Sequence, residues 1–211
     1  PLAAISGSVQ LLSKSLQPGS SQRQLLDIML KESQRLDRTI KNFLHFASPK
    51  DRSIVEFDVC KLLAENVELL RNSEEVSEHH RLELRVTPEA ARITADPDQI
   101  SQLFWNLARN ALRAMPSGGT LTVTGELNRD DYHLVFQDTG KGMTSEERRK
   151  IFHPFHTGFS GGTGIGMSIV YRIVEEHGGD LEVESRPDRG TTIDVRLPAR
   201  HEVVEPMRAE G

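Results

Sequence analysis

The sequence predicts an α+β protein in which a helical hairpin precedes an α/β sandwich, whose helices cover one face of a mixed β-sheet. Residues 1–47 carry two apolar stripes at helical spacing, and residues 55–199 alternate between strand-like and helix-like patterns. The charge changes at the same place: residues 1–50 contain seven Lys and Arg against three Asp and Glu, a net charge of +4, whereas the whole chain carries −5. This break indicates two domains.

The composition excludes several classes of protein. The 211 residues include 26 Lys and Arg against 31 Asp and Glu, and this acidic balance argues against a nucleic acid partner. Cys60 is the only cysteine, which excludes an intramolecular disulfide and a cysteine-based zinc site and fits a reducing compartment. No apolar run reaches the roughly 18 residues of a membrane span, so we expect a cytoplasmic chain whose membrane contacts lie only in segments outside it. Pro1 suits the first turn of a helix whose earlier part is missing, so we interpret the chain as a fragment.

The predicted hairpin consists of two amphipathic helices. The apolar residues of the first helix, predicted over residues 1–16, recur at spacings of three and four: Leu2, Ile5, Val9, Leu12 and Leu16. The sequence Gln-Pro-Gly-Ser at residues 17–20 ends this helix, and a second stripe predicts a helix over residues 21–47. A lone hairpin leaves both stripes half exposed, so we expect a homodimer that joins two hairpins in a four-helix bundle through residues 1–47. The alternative is a hairpin that packs on its own downstream domain.

The second domain is predicted over residues 55–199, after a linker at residues 48–54. Strands are predicted at residues 55–57, 82–86, 92–95, 120–127, 132–137, 180–185 and 191–197. Helices are predicted at residues 58–71, 97–114 and 164–177. The glycine-rich region 138–166 carries no regular pattern, and residues 200–211 read as a frayed polar tail.

The predicted helix at residues 97–114 carries Asn106 and Asn110, which lie on one face because they are four residues apart. An amide oxygen is a suitable ligand for a Mg²⁺ ion that keeps most of its waters and bridges phosphates. Arg113 follows about one turn later and can reach those phosphates. Solvated surface asparagines are the alternative interpretation.

An apolar strand runs into the sequence Asp138-Thr-Gly140-Lys-Gly142. This pattern places one carboxylate at the lip of a pocket, where it accepts hydrogen bonds, and the two glycines let a flat ligand approach the backbone. A simple turn uses the same residue types, so this pattern alone also fits a turn.

Glycines also precede the last predicted helix, in the run Gly161-Gly-Thr163-Gly164-Ile165-Gly166. Glycines before a helix leave N–H groups and the positive end of the helix dipole available to an anion. No strand leads into this loop, which excludes a dinucleotide fingerprint, and no lysine follows the last glycine, which excludes a Walker A motif.

Together and in this order, the motifs resemble the catalytic domain of sensor histidine kinases, which shares its ATP-binding fold with DNA gyrase, mismatch-repair and heat-shock-chaperone ATPases. The resemblance covers nearly all of residues 1–199 and includes the boxes of that family: the N box at 106–110, the G1 box at 138–142, the F box at 152–155, the G2 box at 162–166 and the closing strand with Gly190-Thr191-Thr192. The hairpin resembles the dimerisation and histidine-phosphotransfer domain, and is most similar to kinases of the nitrogen- and pilus-regulation type.

The resemblance implies a role for each matched residue. Asp138 accepts the adenine amino group, with Gly140 and Gly142 giving room beside it. Asn110 binds Mg²⁺, and Asn106 and Arg113 contact or orient the phosphates. The other residues implied to bind ATP belong to a mobile lid and to the loop that follows it: Phe152 and Phe155, which pack the base of the lid, and Thr163, Gly164, Ile165 and Gly166, which lie beside the phosphates.

Two residues that the family pattern includes are missing from this chain, the acceptor histidine and a lysine of the lid. Pro1 matches the proline that ends the phosphoacceptor run of the family, so the acceptor histidine is expected just upstream, and none of the eight histidines of the chain occupies its position. Phe159 stands where many relatives have a lysine that clamps the terminal phosphate.

The resemblance therefore implies a protein histidine kinase core that uses ATP and Mg²⁺, transfers the γ-phosphate to a histidine upstream of Pro1 and then supplies an aspartate of a response-regulator receiver domain. Phe159 leaves a second hypothesis open, a non-catalytic ATP-binding interaction module. A third hypothesis, a hydrolysing ATPase, requires a general-base carboxylate at the position of Asn106, and an amide cannot abstract a proton.

Overall fold

The computed structural model describes residues 2–15, 20–47, 53–156 and 164–199. They form two compact units, one with the helices up to residue 47 and the other with the described residues from 53 onward. The predictions that concern Pro1, Phe159, Thr163, most of the linker and the tail at 200–211 lie outside the described residues.

The first unit is a helical hairpin, as predicted. Helix α1 spans Leu2–Ser15 and helix α2 spans Ser21–Ala47. Val9 and Ser33 are buried, and the hydroxyl groups of Ser6 and Ser33 share a hydrogen bond of 2.9 Å between the two helices. Among the side chains of this unit that the structure describes, seven large apolar ones are 48–71% exposed: Ile5, Leu11, Leu12, Leu25, Ile28, Met29 and Leu36.

The second unit is built on a five-stranded mixed sheet. In spatial order its strands are β2 (His80–Thr87), β4 (Gly119–Asn128), β5 (Asp131–Asp138), β7 (Thr191–Pro198) and β6 (Asp180–Ser185). Strands β2 and β4 are parallel, and the other neighbours are antiparallel. A separate antiparallel pair joins β1 (Val55–Asp58) to β3 (Arg92–Ala95).

Alternation along the strands directs one face of the sheet into the core. Val123 of β4 pairs with Phe136 of β5, which pairs with Ile193 of β7, and all three are at most 6% exposed. Three long helices contact the sheet: α3 (Val59–Arg71) lies against β2, α4 (Pro97–Ala114) against β4 and β5, and α6 (Gly166–Glu176) against β6 and β7. The predicted mixed sheet with helices is confirmed, and each predicted element is present with ends shifted by at most two residues.

Polar contacts fix where the long helices begin. Asp58 and Asp96 each accept two backbone N–H groups at the first turns of α3 and α4, which is the usual function of an aspartate N-cap. His177, just after α6, accepts the backbone N–H of Asp96 at 3.1 Å through Nε2. This bond ties the end of α6 to the start of α4.

The glycine-rich region contains a short helix, α5 (Ser145–Lys150), that was not predicted. Thr144 and Glu147 form a capping box at its start, in which each side chain accepts the backbone N–H of the other residue. Six residues are too few to display an apolar stripe, so periodicity alone misses this helix. Among the described residues, no helix combines the length and apolar character needed to cross a membrane.

Candidate functional site

The carboxylate of Asp138 lies where β5 ends beside the first residue of β7. Asp138 is 8% exposed, and its Oδ1 accepts the N–H groups of Gly140 at 2.8 Å and Thr191 at 3.3 Å. Burial raises the pKa of Asp138, and the two N–H groups partly offset that rise. Since both of these donors meet Oδ1, Oδ2 is the oxygen that can accept a hydrogen bond from a ligand.

The glycines of the loop after Asp138 are required by protein packing, which differs from the reason the sequence suggested. A Cβ on Gly140 would lie 2.6 Å from the carbonyl oxygen of Ala114. Gly142 has φ +62°, and its Cβ position falls against the carbonyl oxygen of Arg186. On these sides, protein backbone takes the room that was expected for a ligand.

Helix α4 connects the Asp138 loop to a second group of polar atoms. Its last turn bonds the loop, because the N–H of Lys141 donates to the carbonyl oxygen of Ala114 at 3.0 Å. About two turns earlier, the Asn106 amide donates to the carbonyl oxygen of Gln102 at 2.9 Å. Its Oδ1 then lies 3.0 Å from the position of a Cβ on Gly166, the first residue of α6. The structure therefore brings Asn106 and Gly166 together.

Asn110 and Arg113 lie on the same face of α4 as Asn106. Asn110 is half-buried, and no hydrogen bond in the described part of the chain uses its amide group. Arg113 is exposed in the last turn of the helix. In the described residues, no group of three or more His, Cys, Asp or Glu side chains could hold a metal ion. An amide oxygen at Asn110 therefore fits only a cation that takes most of its other ligands from water or from a bound ligand.

The start of α6 is shaped by Gly164. This residue has φ +68°, its carbonyl oxygen accepts the N–H of Phe155 at 2.9 Å, and a Cβ on it would lie 2.5 Å from the carbonyl carbon of Phe155. Ile165 occupies the N-cap position, is 2% exposed and provides no side-chain cap. Helix α6 therefore begins without a capping side chain, and the start of a helix is suited to an anion.

The two phenylalanines expected at the base of the lid differ. The ring of Phe152 packs on Tyr171, with 5.6 Å between ring centroids. Phe155 is 67% exposed and has φ +64°, so the prediction that it packs is wrong. Its backbone N–H donates to the carbonyl oxygen of Gly164, which holds the turn in this conformation.

Two residues around Asp138 were not assigned a role from the sequence. Thr191 donates its backbone N–H to Asp138, and the Gly-Thr-Thr run at the start of the last strand was the available signal. Ser185 lies 2.9 Å from Thr191, oxygen to oxygen. A serine in an exposed edge strand carries no signal, because its partner is set by the pairing of β6 with β7.

Comparison with known protein families now identifies the sheet domain. Residues 95–201 match the family described as histidine kinase-, DNA gyrase B- and HSP90-like ATPase. The chain belongs to this family. Residues 1–52 match the His Kinase A (phospho-acceptor) domain, so the hairpin and the ATPase domain together are a histidine kinase core.

The relatives agree with this assignment. The kinase core is 31% identical over 206 residues to sporulation kinase E of Bacillus subtilis (strain 168), which matches 97% of this chain, and 30% identical over 201 residues to sensor histidine kinase ZraS of Escherichia coli (strain K12), which matches 94%. It spans 28% and 42% of their lengths. The structure of histidine kinase ThkA in complex with response regulator protein TrrA has a TM-score of 0.73 at 25% identity and covers 94% of this chain and 57% of that one. Full-length ShkA in complex with AMPPNP shares the fold, with a TM-score of 0.76 at 24% identity over 94% of this chain and 43% of that one.

Proposed function

We propose that this kinase core binds ATP with the adenine on Asp138 and the phosphates at the start of α6, and that it transfers the γ-phosphate to a histidine. The observation that carries the proposal is the position of α4, whose last turn bonds the Asp138 loop while Asn106 faces Gly166. Helix α4 thus fixes the distance between the Asp138 carboxylate, which can bind the adenine base, and the start of α6, which can bind the phosphates.

In this proposal, Oδ2 of Asp138 accepts the adenine amino group. The N–H groups of Gly140 and Thr191 fix the carboxylate through Oδ1, so its direction is set before the nucleotide arrives. The adenine amino group also donates a hydrogen bond to a carboxylate that burial has largely removed from water, which replaces hydrogen bonds that water would make.

The phosphates lie between α4 and α6. The start of α6, with Gly164, Ile165 and Gly166, lies beside them, while Asn106 and Arg113 contact or orient them from α4. Phe152, packed on Tyr171, supports the lid segment at its base. Catalysis then comes mainly from positioning the γ-phosphate and from compensating its charge.

Asn110 is the residue that would hold Mg²⁺. Its half-buried amide makes no hydrogen bond in the described part of the chain, which leaves the oxygen available to a hard cation. A Mg²⁺ ion held there would offset part of the charge of the phosphates.

The hairpin forms a homodimer in this proposal. Exposed apolar side chains occur on both of its helices within the described residues, and a second hairpin supplies a matching apolar surface in a four-helix bundle. The phosphohistidine then passes its phosphoryl group to an aspartate of a response-regulator receiver domain. The complex of ThkA with TrrA supports this partner class.

The test is transfer of label from γ-labelled Mg-ATP to this chain and to a version extended upstream of Pro1 by one helical segment. Acid-labile label on the extended chain alone, absent in its Asn110→Ala variant, is the expected result. ATP binding without label on either chain would favour the non-catalytic module. Release of free phosphate without a phosphoprotein would favour the hydrolysing ATPase.

A further inference from the structure

We infer that Ser185 is a positioning residue of the adenine site, because its hydroxyl joins the loop after β5 to the start of β7. These are the two segments whose N–H groups hold Asp138. The inference rests on the proposed ATP site and adds a residue that acts on the nucleotide through Asp138.

The Ser185 hydroxyl uses its full hydrogen-bonding capacity. Its Oγ accepts the N–H of Met143 at 2.8 Å, donates to the carbonyl oxygen of Gly190 at 3.0 Å and lies 2.9 Å from Oγ1 of Thr191. A hydroxyl has one proton and two lone pairs, so with its proton on Gly190 it accepts the third bond from the hydroxyl of Thr191. Strand β6, the loop after β5 and the start of β7 therefore meet at one oxygen atom.

This junction controls Asp138 because the two donors to Oδ1 belong to different segments. Gly140 is in the loop, three residues before Met143, whereas Thr191 begins β7 and bonds Ser185 directly. The N–H of Asp188, in the turn between β6 and β7, also donates to the carbonyl oxygen of Lys141 at 2.7 Å.

The closest approach is between backbones, since a Cβ on Gly142 would strike the carbonyl oxygen of Arg186, and one on Gly190 would strike that of Asp138. A shift of the turn relative to the loop therefore changes the N–H groups that reach Oδ1 and the direction of Oδ2.

Base selectivity is the property that depends on that direction. Adenine presents an amino donor at the position where guanine presents a carbonyl oxygen, and a carboxylate attracts the first and repels the second. A well-directed Oδ2 therefore favours ATP over GTP. Loss of the Ser185 hydroxyl weakens this preference, whereas a general loss of stability lowers both affinities together.

The test measures the dissociation constants of Mg-ATP and Mg-GTP by calorimetric titration of the full chain, for the natural sequence, Ser185→Ala and Ser73→Ala. Ser73 is the matched control, because its part-buried hydroxyl donates to the carbonyl oxygen of Leu70 at 2.7 Å at the end of α3. We expect Ser185→Ala to lower the ratio of ATP affinity to GTP affinity about tenfold, and Ser73→Ala to leave it within about twofold.

A second readout is the pH at which ATP affinity is lost. The N–H groups on Oδ1 lower the pKa of Asp138, so weakening them in Ser185→Ala moves the loss of ATP affinity to higher pH. A folded Ser185→Ala variant with an unchanged ATP to GTP ratio overturns the inference.

If circular dichroism shows that Ser185→Ala is unfolded, Ser185→Cys replaces the hydroxyl by a weaker hydrogen-bonding group and is expected to lower the ratio by a smaller factor. An unchanged ratio in that variant also overturns the inference. A natural sequence that does not prefer ATP overturns the proposed function instead, so the two failures are distinguishable.

Discussion

The hairpin and the sheet domain differ in how far their apolar side chains are exposed. Among the described side chains of the hairpin, Val9 is 4% exposed, whereas seven large apolar ones are at least 48% exposed. In the sheet domain, Ile100, Leu103, Phe104 and Leu107 of α4 alone are all at most 1% exposed. The sheet domain therefore contains a complete core, and the hairpin contains one side of a core.

This difference separates two functions. A domain with its own core holds Asp138, Asn106 and Gly166 in a geometry that does not depend on a partner. In the proposed dimer, the hairpin is completed by association, so its stability would depend on protein concentration. Substitutions in the sheet domain should leave dimerisation unchanged, and substitutions in the hairpin should leave the stability and the nucleotide binding of the sheet domain unchanged.

The largest effect is expected from removing part of the complete core. Phe104 is fully buried, and its ring lies 5.6 Å from that of Phe136 and 6.0 Å from that of Trp105, edge to face. We expect Phe104→Ala to lower the free energy of unfolding of the sheet domain by about 3–5 kcal/mol, measured by denaturant titration. Leu69→Ala, at a side chain that is 62% exposed, is the control, with less than about 0.5 kcal/mol. Loss of the dimer in Phe104→Ala would contradict the separation of the two regions.

A charge on the hairpin surface tests the other side of the comparison. Leu25 is 61% exposed on α2, and we expect Leu25→Glu to weaken the dimer about 100-fold, because association would bury the carboxylate. Analytical ultracentrifugation measures this dissociation constant. Gln24→Glu adds the same charge at the preceding polar position and should change it much less. Equal effects of both variants would show that the apolar stripe is not the interface.

Asp138→Asn separates binding from stability within the sheet domain. The amide oxygen can still accept the N–H groups of Gly140 and Thr191, but the NH₂ group replaces the acceptor that faces the base. We expect ATP affinity to fall about 30-fold in a calorimetric titration, and the free energy of unfolding to stay equal or rise, because a neutral amide is less costly to bury. An ATP affinity within about threefold of the natural sequence would exclude Asp138 from base recognition.

The smallest effect concerns pH. Burial raises the pKa of Asp138, so protons bind this group more tightly in the folded domain than in the unfolded chain. Its contribution to the free energy of unfolding therefore increases as pH falls through the raised pKa, while ATP affinity decreases over the same range. Comparison of the natural sequence with Asp138→Asn isolates the contribution of this group to the pH dependence of the free energy of unfolding and of ATP affinity. A stability difference of the opposite sign would contradict the assigned pKa direction.

Local patterns in the sequence predict most of the fold. Helix α4 follows from an apolar stripe, an Asp96 cap and Pro97 in the first turn. Helix α5 is missed because six polar residues show no period, although Thr144 and Glu147 carry a capping-box signal. The pairing of β1 with β3 outside the main sheet is set by contacts between distant residues, which no local pattern records.

The candidate site divides in the same way. Motif spacing predicts Asp138, Asn106 and Gly166, and the structure places Asn106 beside Gly166. The sequence suggested that Gly140 gives room to a ligand. In the structure, the position of a Cβ on Gly140 instead faces Ala114, a residue 26 positions earlier in the chain. Ser185 was missed for a similar reason, since its hydroxyl gains its role only when β6 pairs with β7.

The most direct measurement of the central claim is a titration of Mg-ATP into the isotopically labelled chain, followed residue by residue by NMR. We expect no change of comparable size in α1 or α2, and the largest chemical shift changes at Asn106, Asn110, Asp138, Gly140, Gly166 and Thr191. Changes concentrated in the hairpin, or no changes at saturating ATP, would contradict a nucleotide site built on the sheet domain.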